Sequence, residues 1–214
     1  MKFEIIPVTH YEQNCSLIWC ENTQKAALVD PGGDIPKILK VIERLGVQVE
    51  QILLTHGHMD HVGASPELSR RLSVPIIGPH KEDMFWLERL PLEAPRMGFT
   101  PIDVFTPDEW LEEGQVVQVG EQTLETFHCP GHTPGHIIFY HRPTKMAFVG
   151  DVIFAGSIGR SDFPRGDYDA LTNAIRSKLW PLGDDVKFVP GHGPMSTFGQ
   201  ERKTNRFVAD ARFG

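Results

Sequence analysis

Cysteine is scarce in this sequence. Cys15, Cys20 and Cys129 are the full complement, too few and odd in number for a disulfide framework, which points to a reducing compartment. No apolar run is long enough to span a bilayer. The first residues, Met1-Lys2-Phe3-Glu4-Ile5-Ile6-Pro7, bring an early acid and a proline where a secretory leader needs an apolar core. Basic residues are outnumbered, 21 against 28 acidic, which leaves a formal net charge of −7. That balance excludes sequence-independent attraction to phosphate backbones or anionic membranes. Low-complexity segments are missing, and so is any linker that would divide the chain. The expectation is a soluble, cytoplasmic protein with no nucleic-acid and no membrane partner, its oligomeric state left open.

What is present is an ordinary globular composition over 214 residues, ample for one large core. Residues Phe3 to Val8, Cys15 to Trp19 and Ala26 to Asp30 are short β-rich runs separated by turn residues. After Pro31-Gly32-Gly33, Asp34 is placed to cap a helix. Its apolar positions Ile35, Ile38, Leu39, Ile42 and Leu45 recur at helical spacing, with Gly46 as the stop. A helix over Pro66 to Leu72, capped by Ser65, a strand over Val74 to Ile77 and a helix over His80 to Leu90 follow. Dense prolines between Pro91 and Pro107 predict an irregular surface loop. A second series of strands covers Val116 to Val119, Thr123 to His128, His136 to Tyr140 and Met146 to Gly150. A helix over Asp167 to Leu179, a short strand over Lys187 to Val189 and a terminal helix over Gln200 to Ala209 complete the chain. Strands with helices, twice over, fit an α/β protein of two sheets packed face to face with helices outside.

Chemistry concentrates in Thr55-His56-Gly57-His58-Met59-Asp60-His61. Four potential metal ligands leave the end of an apolar strand, Gln51-Ile52-Leu53-Leu54, where open α/β sheets place their sites. Crowded neutral and anionic donors gain from a divalent cation. Three later spots repeat the design of a ligand after an apolar strand among glycines: Cys129-Pro130-Gly131-His132, then Phe148-Val149-Gly150-Asp151, and Val189-Pro190-Gly191-His192. Glycine and proline fix tight turns where a metal needs donors aimed inward. Imidazole and carboxylate without thiolate suit zinc, iron or manganese.

This set, a His-x-His-x-Asp-His run with three later ligands in order, resembles the metallo-β-lactamase superfamily over nearly the whole chain. Within it, the chain is similar to the glyoxalase II (hydroxyacylglutathione hydrolase) branch of the short bacterial type. The resemblance implies an αββα sandwich. It assigns His56, His58 and His132 to one metal and Asp60, His61 and His192 to the other, with Asp151 bridging. Two divalent ions per chain follow, zinc first, with iron or manganese as alternatives. With Asp60, Asp151 and a bridging hydroxide the site keeps about one positive charge, which favours an anionic substrate. The implied reaction is hydrolysis of a thioester such as S-lactoylglutathione by a metal-bound hydroxide, with Asp60 and Asp151 as the catalytic carboxylates. A thiolate leaves without a strong acid, since thiols ionise near pH 8.5.

Particular residues sort the neighbouring branches. β-Lactamases of the commonest subclass carry Arg where His61 stands and Cys where Asp151 stands, which argues against antibiotic hydrolysis. Lactone hydrolases share the ligand set. The stretch Gly159-Arg160-Ser161-Asp162-Phe163-Pro164-Arg165-Gly166 resembles persulfide dioxygenases, which use one iron, and these are the alternatives. Two-domain glyoxalase II enzymes add a C-terminal helical domain that contacts glutathione. The short tail after His192 predicts instead one domain over residues 1–214, and a glutathione-derived substrate is an open expectation. Arg160 and Arg165 are candidates for gripping its anionic groups, against structural pairing with Asp162 or Asp167. His136 reads as a supporting or core histidine, and His10, His80 and His141 as surface residues. Cys129 reads as a small buried residue, and Phe85 and Trp86 as core.

Overall fold

The computed structural model describes residues 1–213. A five-stranded sheet forms from β1 (Lys2–Val8), β2 (Gln13–Trp19), β3 (Lys25–Val29), β4 (Gln48–Leu53) and β5 (Ile76–Ile77), in that order. The first three strands pair antiparallel and the last three parallel. The change of direction requires a crossover, and α1 (Ile35–Leu45) supplies it. Next come α2 (Met59–Val62), α3 (Ser65–Leu72), α4 (Met84–Leu87) and α5 (Leu90–Arg96). The second sheet is built from β6 (Val116–Val119), β7 (Gln122–His128), β8 (Ile137–His141) and β9 (Met146–Gly150). After a small hairpin of β10 (Ile153–Phe154) and β11 (Ser157–Ile158), the helix α6 (Tyr168–Ala174) runs on as a π turn over Ile175–Leu179. Strands β12 (Lys187–Pro190) and β13 (Ser196–Thr197) give the second sheet the order β13-β12-β9-β8-β7-β6, and α7 (Phe198–Thr204) follows.

Side-chain alternation explains the layers. In β3, Leu28 faces the helices while Ala27 and Val29 face the other sheet. In β9, Ala147 and Val149 face the outer helices while Phe148 points between the sheets. Ile18, Val29, Leu53, Leu124, Phe139 and Phe148 thus form an inner core, with one further core outside each sheet. Strands buried on both faces read as continuous apolar runs, hence their imperfect alternation. The expected αββα sandwich is what the chain forms.

Several boundaries differ from expectation. Asp34 stands at the N-cap of α1, as expected, but its side chain makes no capping bond; it sits in the left-handed region at φ 50° and its Oδ2 accepts from Thr9 N–H at 2.8 Å. Ser65 does not cap α3 but lies inside it, because Ala64 is already helical and offers no extended cap position. The helix expected over His80 to Leu90 is broken into a 3₁₀ turn over Lys81–Asp83 and then α4. The irregular loop expected from Pro91 instead begins with α5. Pro91 stands in its first turn, where a missing N–H costs nothing. Glu93 pairs with Arg89 at 3.1 Å along the same helix. The terminal helix stops at Asn205, whose side chain turns inward to the Ser157 carbonyl at 2.9 Å. No helix among the described residues is long and apolar enough to cross a membrane.

Candidate metal centre

Four segments bring the donors together at one edge of the sandwich. His56 to His61 leave the C-terminal end of β4 and enter α2; His132 lies on the β7–β8 loop, Asp151 follows β9, and His192 follows β12. Two trios result, His56 with His58 and His132, and Asp60 with His61 and His192, each with donor atoms within 4.8 Å of one another. Asp151 touches both. Its Oδ1 lies 3.4 Å from His61 Nε2, and its Oδ2 lies 3.6 Å from His132 Nε2 and 3.8 Å from His192 Nε2. His192 Nε2 is also 3.1 Å from Asp60 Oδ2. This crowding needs glycine nearby: a Cβ on Gly191 would lie 2.0 Å from Asp151 Oδ1.

Hydrogen bonds fix which nitrogen of each ring is free. Thr55 donates its hydroxyl to Asp30 Oδ2 at 2.5 Å, so at 3.0 Å it accepts from His56 Nδ1–H. His61 Nδ1–H donates to Asp30 Oδ2 at 2.9 Å. His132 Nδ1–H donates to the Arg160 carbonyl at 2.7 Å, and His192 Nδ1–H to the Tyr11 carbonyl at 3.1 Å. With the outer nitrogen tied off as a donor, each Nε2 of these four rings is the atom left facing inward, and in the neutral ring it offers a lone pair there. His58 presents Nδ1, 3.0 Å from His132 Nε2. His56 Nε2, His61 Nε2 and Asp151 Oδ1 are buried with no hydrogen-bond partner. Buried polar atoms without partners are costly, and lone pairs aimed at common points are what a cation satisfies. The donor set therefore fits divalent metal ions.

Electrostatics separate the two trios. Burial, then neighbouring imidazoles, hold His56 and His58 well below the usual histidine range, and burial lowers His132 despite Asp151. Burial also opposes charge on His61, yet Asp151 and Asp60 hold it well above that range. For Asp151, burial raises the carboxyl, but His61, His132 and His192 keep it well below the carboxylate range.

Two buried carboxylates outside the donor set complete the floor. Asp30 accepts from Thr55 N–H at 2.7 Å as well as from Thr55 Oγ1 and His61. Asp83 accepts from Gly57 N–H at 2.7 Å, Thr133 Oγ1–H at 2.8 Å and Gly135 N–H at 2.5 Å. Burial pushes the Asp83 carboxyl up to about 7, against these three donors, which favour its charged form. Hydrogen bonds to a charged group contribute about 1.5–3 kcal/mol each, and here they offset only part of the several kcal/mol of burying one ion. Asp30 was legible in principle, since it follows an apolar strand as the ligands do. Asp83 was hidden in the charged run Lys81-Glu82-Asp83.

Above the floor opens a cleft of about 670 Å³. Trp86 and Phe163 wall it beside His58, their ring centroids 4.4 and 5.2 Å from the imidazole. Trp86 is therefore cleft wall as well as core. Arg89, Arg96 and Arg160 line the mouth, and the first two had carried no signal in the sequence. Arg160 is held by Asp162 at 2.9 and 3.0 Å and stacks 4.3 Å above Phe163. Arg165 is not among the residues that line the cleft; its guanidinium stacks 4.4 Å from the Phe85 centroid. His136 is buried, accepting from Asp151 N–H at 3.0 Å, which is the supporting place expected of it. His80 and His141, expected at the surface, are buried instead, bonded to Glu112 and to Gln122 and Thr144. Cys129 is buried, as expected, and burial pushes its thiol up to about 12.

Comparison with known proteins agrees with this geometry. Residues 8–192 match the family model described as the metallo-beta-lactamase superfamily. A hydroxyacylglutathione hydrolase, GloC, from Haemophilus influenzae is 48% identical over 209 residues, 97% of this chain and 98% of the relative. Among solved structures, the BLEG-1 B3 metallo-beta-lactamase superposes with a TM-score of 0.89 at 34% identity, covering 97% of this chain and 99% of that one. The di-iron-bound form of TTHA1623 gives a TM-score of 0.87 at 34% identity, covering 96% of this chain and 100% of the other.

Proposed function

The chain belongs to the metallo-β-lactamase superfamily, and from that premise we propose that this metal-dependent hydrolase cleaves a thioester, with S-lactoylglutathione the substrate to test. The observation that carries the reading is the pair of donor trios joined through Asp151, with the inner ring nitrogens gathered toward it. The 48% identity to a protein named hydroxyacylglutathione hydrolase supports the choice of thioester. In this reading His56, His58 and His132 hold one ion and Asp60, His61 and His192 the other, with Asp151 shared; zinc, iron or manganese suits the donors. When bound, such a pair supplies Lewis acidity toward a carbonyl and lowers the pKa of water to about 7.

The chain's own residues supply the rest. Asp60, on the cleft floor, accepts a hydrogen bond from the attacking water and so points its lone pair at the carbonyl carbon. Trp86 and Phe163 exclude bulk water from that approach and face the acyl group. Arg160 at the mouth attracts the anionic end of the thiol carrier once its pairing with Asp162 yields. The thiolate leaves unprotonated and needs no acid from the protein. One domain carries the whole site, and the cytoplasm, where thiol carriers stay reduced, suits it.

The test is thiol release from S-lactoylglutathione by metal-loaded protein, paired with elemental analysis, a β-lactam and glutathione persulfide. Thiol release without oxygen consumption is the expected result. Metal-loaded protein that releases no thiol from any thioester overturns the reading. β-Lactam cleavage in its place favours the activity named for BLEG-1, and oxygen uptake with persulfide favours a dioxygenase.

A further inference from the structure

We propose that Asp83 is a positioning residue for one metal site only, the one built from His56, His58 and His132. The inference rests on reading those three histidines as ligands of one ion. Asp83 belongs to the 3₁₀ turn before α4 and is fully buried. Its carboxylate spans two segments distant in sequence. Oδ2 accepts from the N–H of Gly57, the residue between His56 and His58, and from the hydroxyl of Thr133, the neighbour of His132. Oδ1 accepts from Gly135 N–H. The same turn closes on the second loop again, where His80 N–H donates to the Gly135 carbonyl at 3.0 Å. The segments that carry all three ligands of one trio are thus hung on one side chain, through two backbone N–H groups and one hydroxyl.

Local sequence is shaped around this clasp. A Cβ on Gly135 would lie 2.6 Å from Asp83 N and 2.8 Å from Asp83 Oδ1, and one on Gly57 would lie 3.1 Å from the Asp83 carbonyl and 2.9 Å from Trp86 Cβ. Both positions stay bare so that the turn can approach. Among the described residues, the hydrogen bonds of Asp83 reach none of Asp60, His61 or His192. That trio is steadied elsewhere, by Asp30 on His61 and by the Tyr11 carbonyl on His192. An outer carboxylate that orients ligands typically affects metal affinity by about 10- to 100-fold, and here the effect is confined to half the centre.

Zinc titration of metal-free protein against a chromophoric chelator reads this directly. In Asp83→Asn, one of the two zinc equilibria weakens by about 10- to 100-fold while the other stays at its wild-type value. Equal weakening of both, or no change in either, overturns the proposal. A merely structural role lowers the thermal midpoint of the metal-free chain and leaves the ratio of the two equilibria alone, which overturns it as well. Should Asp83→Asn not fold, Thr133→Val removes one donor of the three, with an expected selective loss of about 3- to 10-fold and the same overturning outcomes. Wild-type protein that binds no zinc sinks the proposal too. Wild-type protein that binds two zinc ions but cleaves no thioester sinks the proposed reaction and leaves this assignment standing.

Discussion

The floor of the cleft and its mouth are built on opposite principles. On the floor, imidazoles and carboxylates are buried or half-buried, and hydrogen bonds to Asp30, Thr55, Arg160 and Tyr11 fix which atom four of the five rings present. At the mouth, Arg160 is two-thirds exposed and paired with an equally exposed Asp162, and Arg89 is paired with Glu93. A buried donor has no alternative partner, so its geometry is set before any ligand arrives. An exposed guanidinium already has a partner and water besides, so a substrate gains from it only what exceeds that pairing. The chemistry is therefore rigid and the specificity soft.

The sharpest way to break this contrast is to unmake the floor. Asp151→Ala removes a carboxylate that contacts rings of both trios. Metal content by elemental analysis should fall, and thioesterase activity should drop by more than the ~100-fold ceiling typical of losing an outer supporting residue. Retention of both metals and of activity would show that the floor tolerates what the mouth is expected to tolerate.

The mouth should respond mildly and in the opposite direction. Asp162→Asn releases Arg160 from a bidentate pair, so kcat/KM for an anionic thioester should rise by about 2- to 5-fold, a small effect because the pair is exposed and competes with water. The gain should shrink in high salt. A fall in kcat/KM, or a change in metal content, would mean that the pair serves the floor after all.

Far from both, Arg142 holds Glu125 through two bonds of 2.6 and 2.7 Å. The hydrogen bonds and charge of Arg142 hold the Glu125 carboxyl below the usual carboxylate range. A lowered acid stabilises the fold above its unfolded pKa, and that contribution is lost as pH falls through the folded value. Arg142→Ala should cost no more than about 1 kcal/mol at pH 7, vanish in acid, and leave activity intact. Chemical denaturation at the two pH values checks this; an equal loss at both would assign Arg142 a packing role over Tyr140 instead.

Local patterns were legible where a single segment decides them. The strands, α1 with its Gly46 stop, and the ligand run after β4 all follow from apolar spacing and turn residues. Boundaries failed where neighbours intervene. Ser65 lost its capping role because α2 delivers the chain already helical, and Pro91 to Arg96 became helical because a proline in the first turn loses no bond. Asp83 and Trp86 were unreadable for a further reason. In sequence they belong to a mixed charged and apolar stretch, and only the fold turns one to the ligand loops and the other to the cleft.

By itself the sequence determined the strands of the two sheets, seven candidate donors and the class of ion such donors suit, because strand alternation and donor chemistry are properties of short segments. Tertiary structure alone decided how those donors divide between Asp30 and Asp83, which nitrogen each ring presents, and which arginines reach the cleft. Those depend on distances between residues as far apart as Asp83 and Gly135 or Tyr11 and His192, which exist only once the sheets have packed.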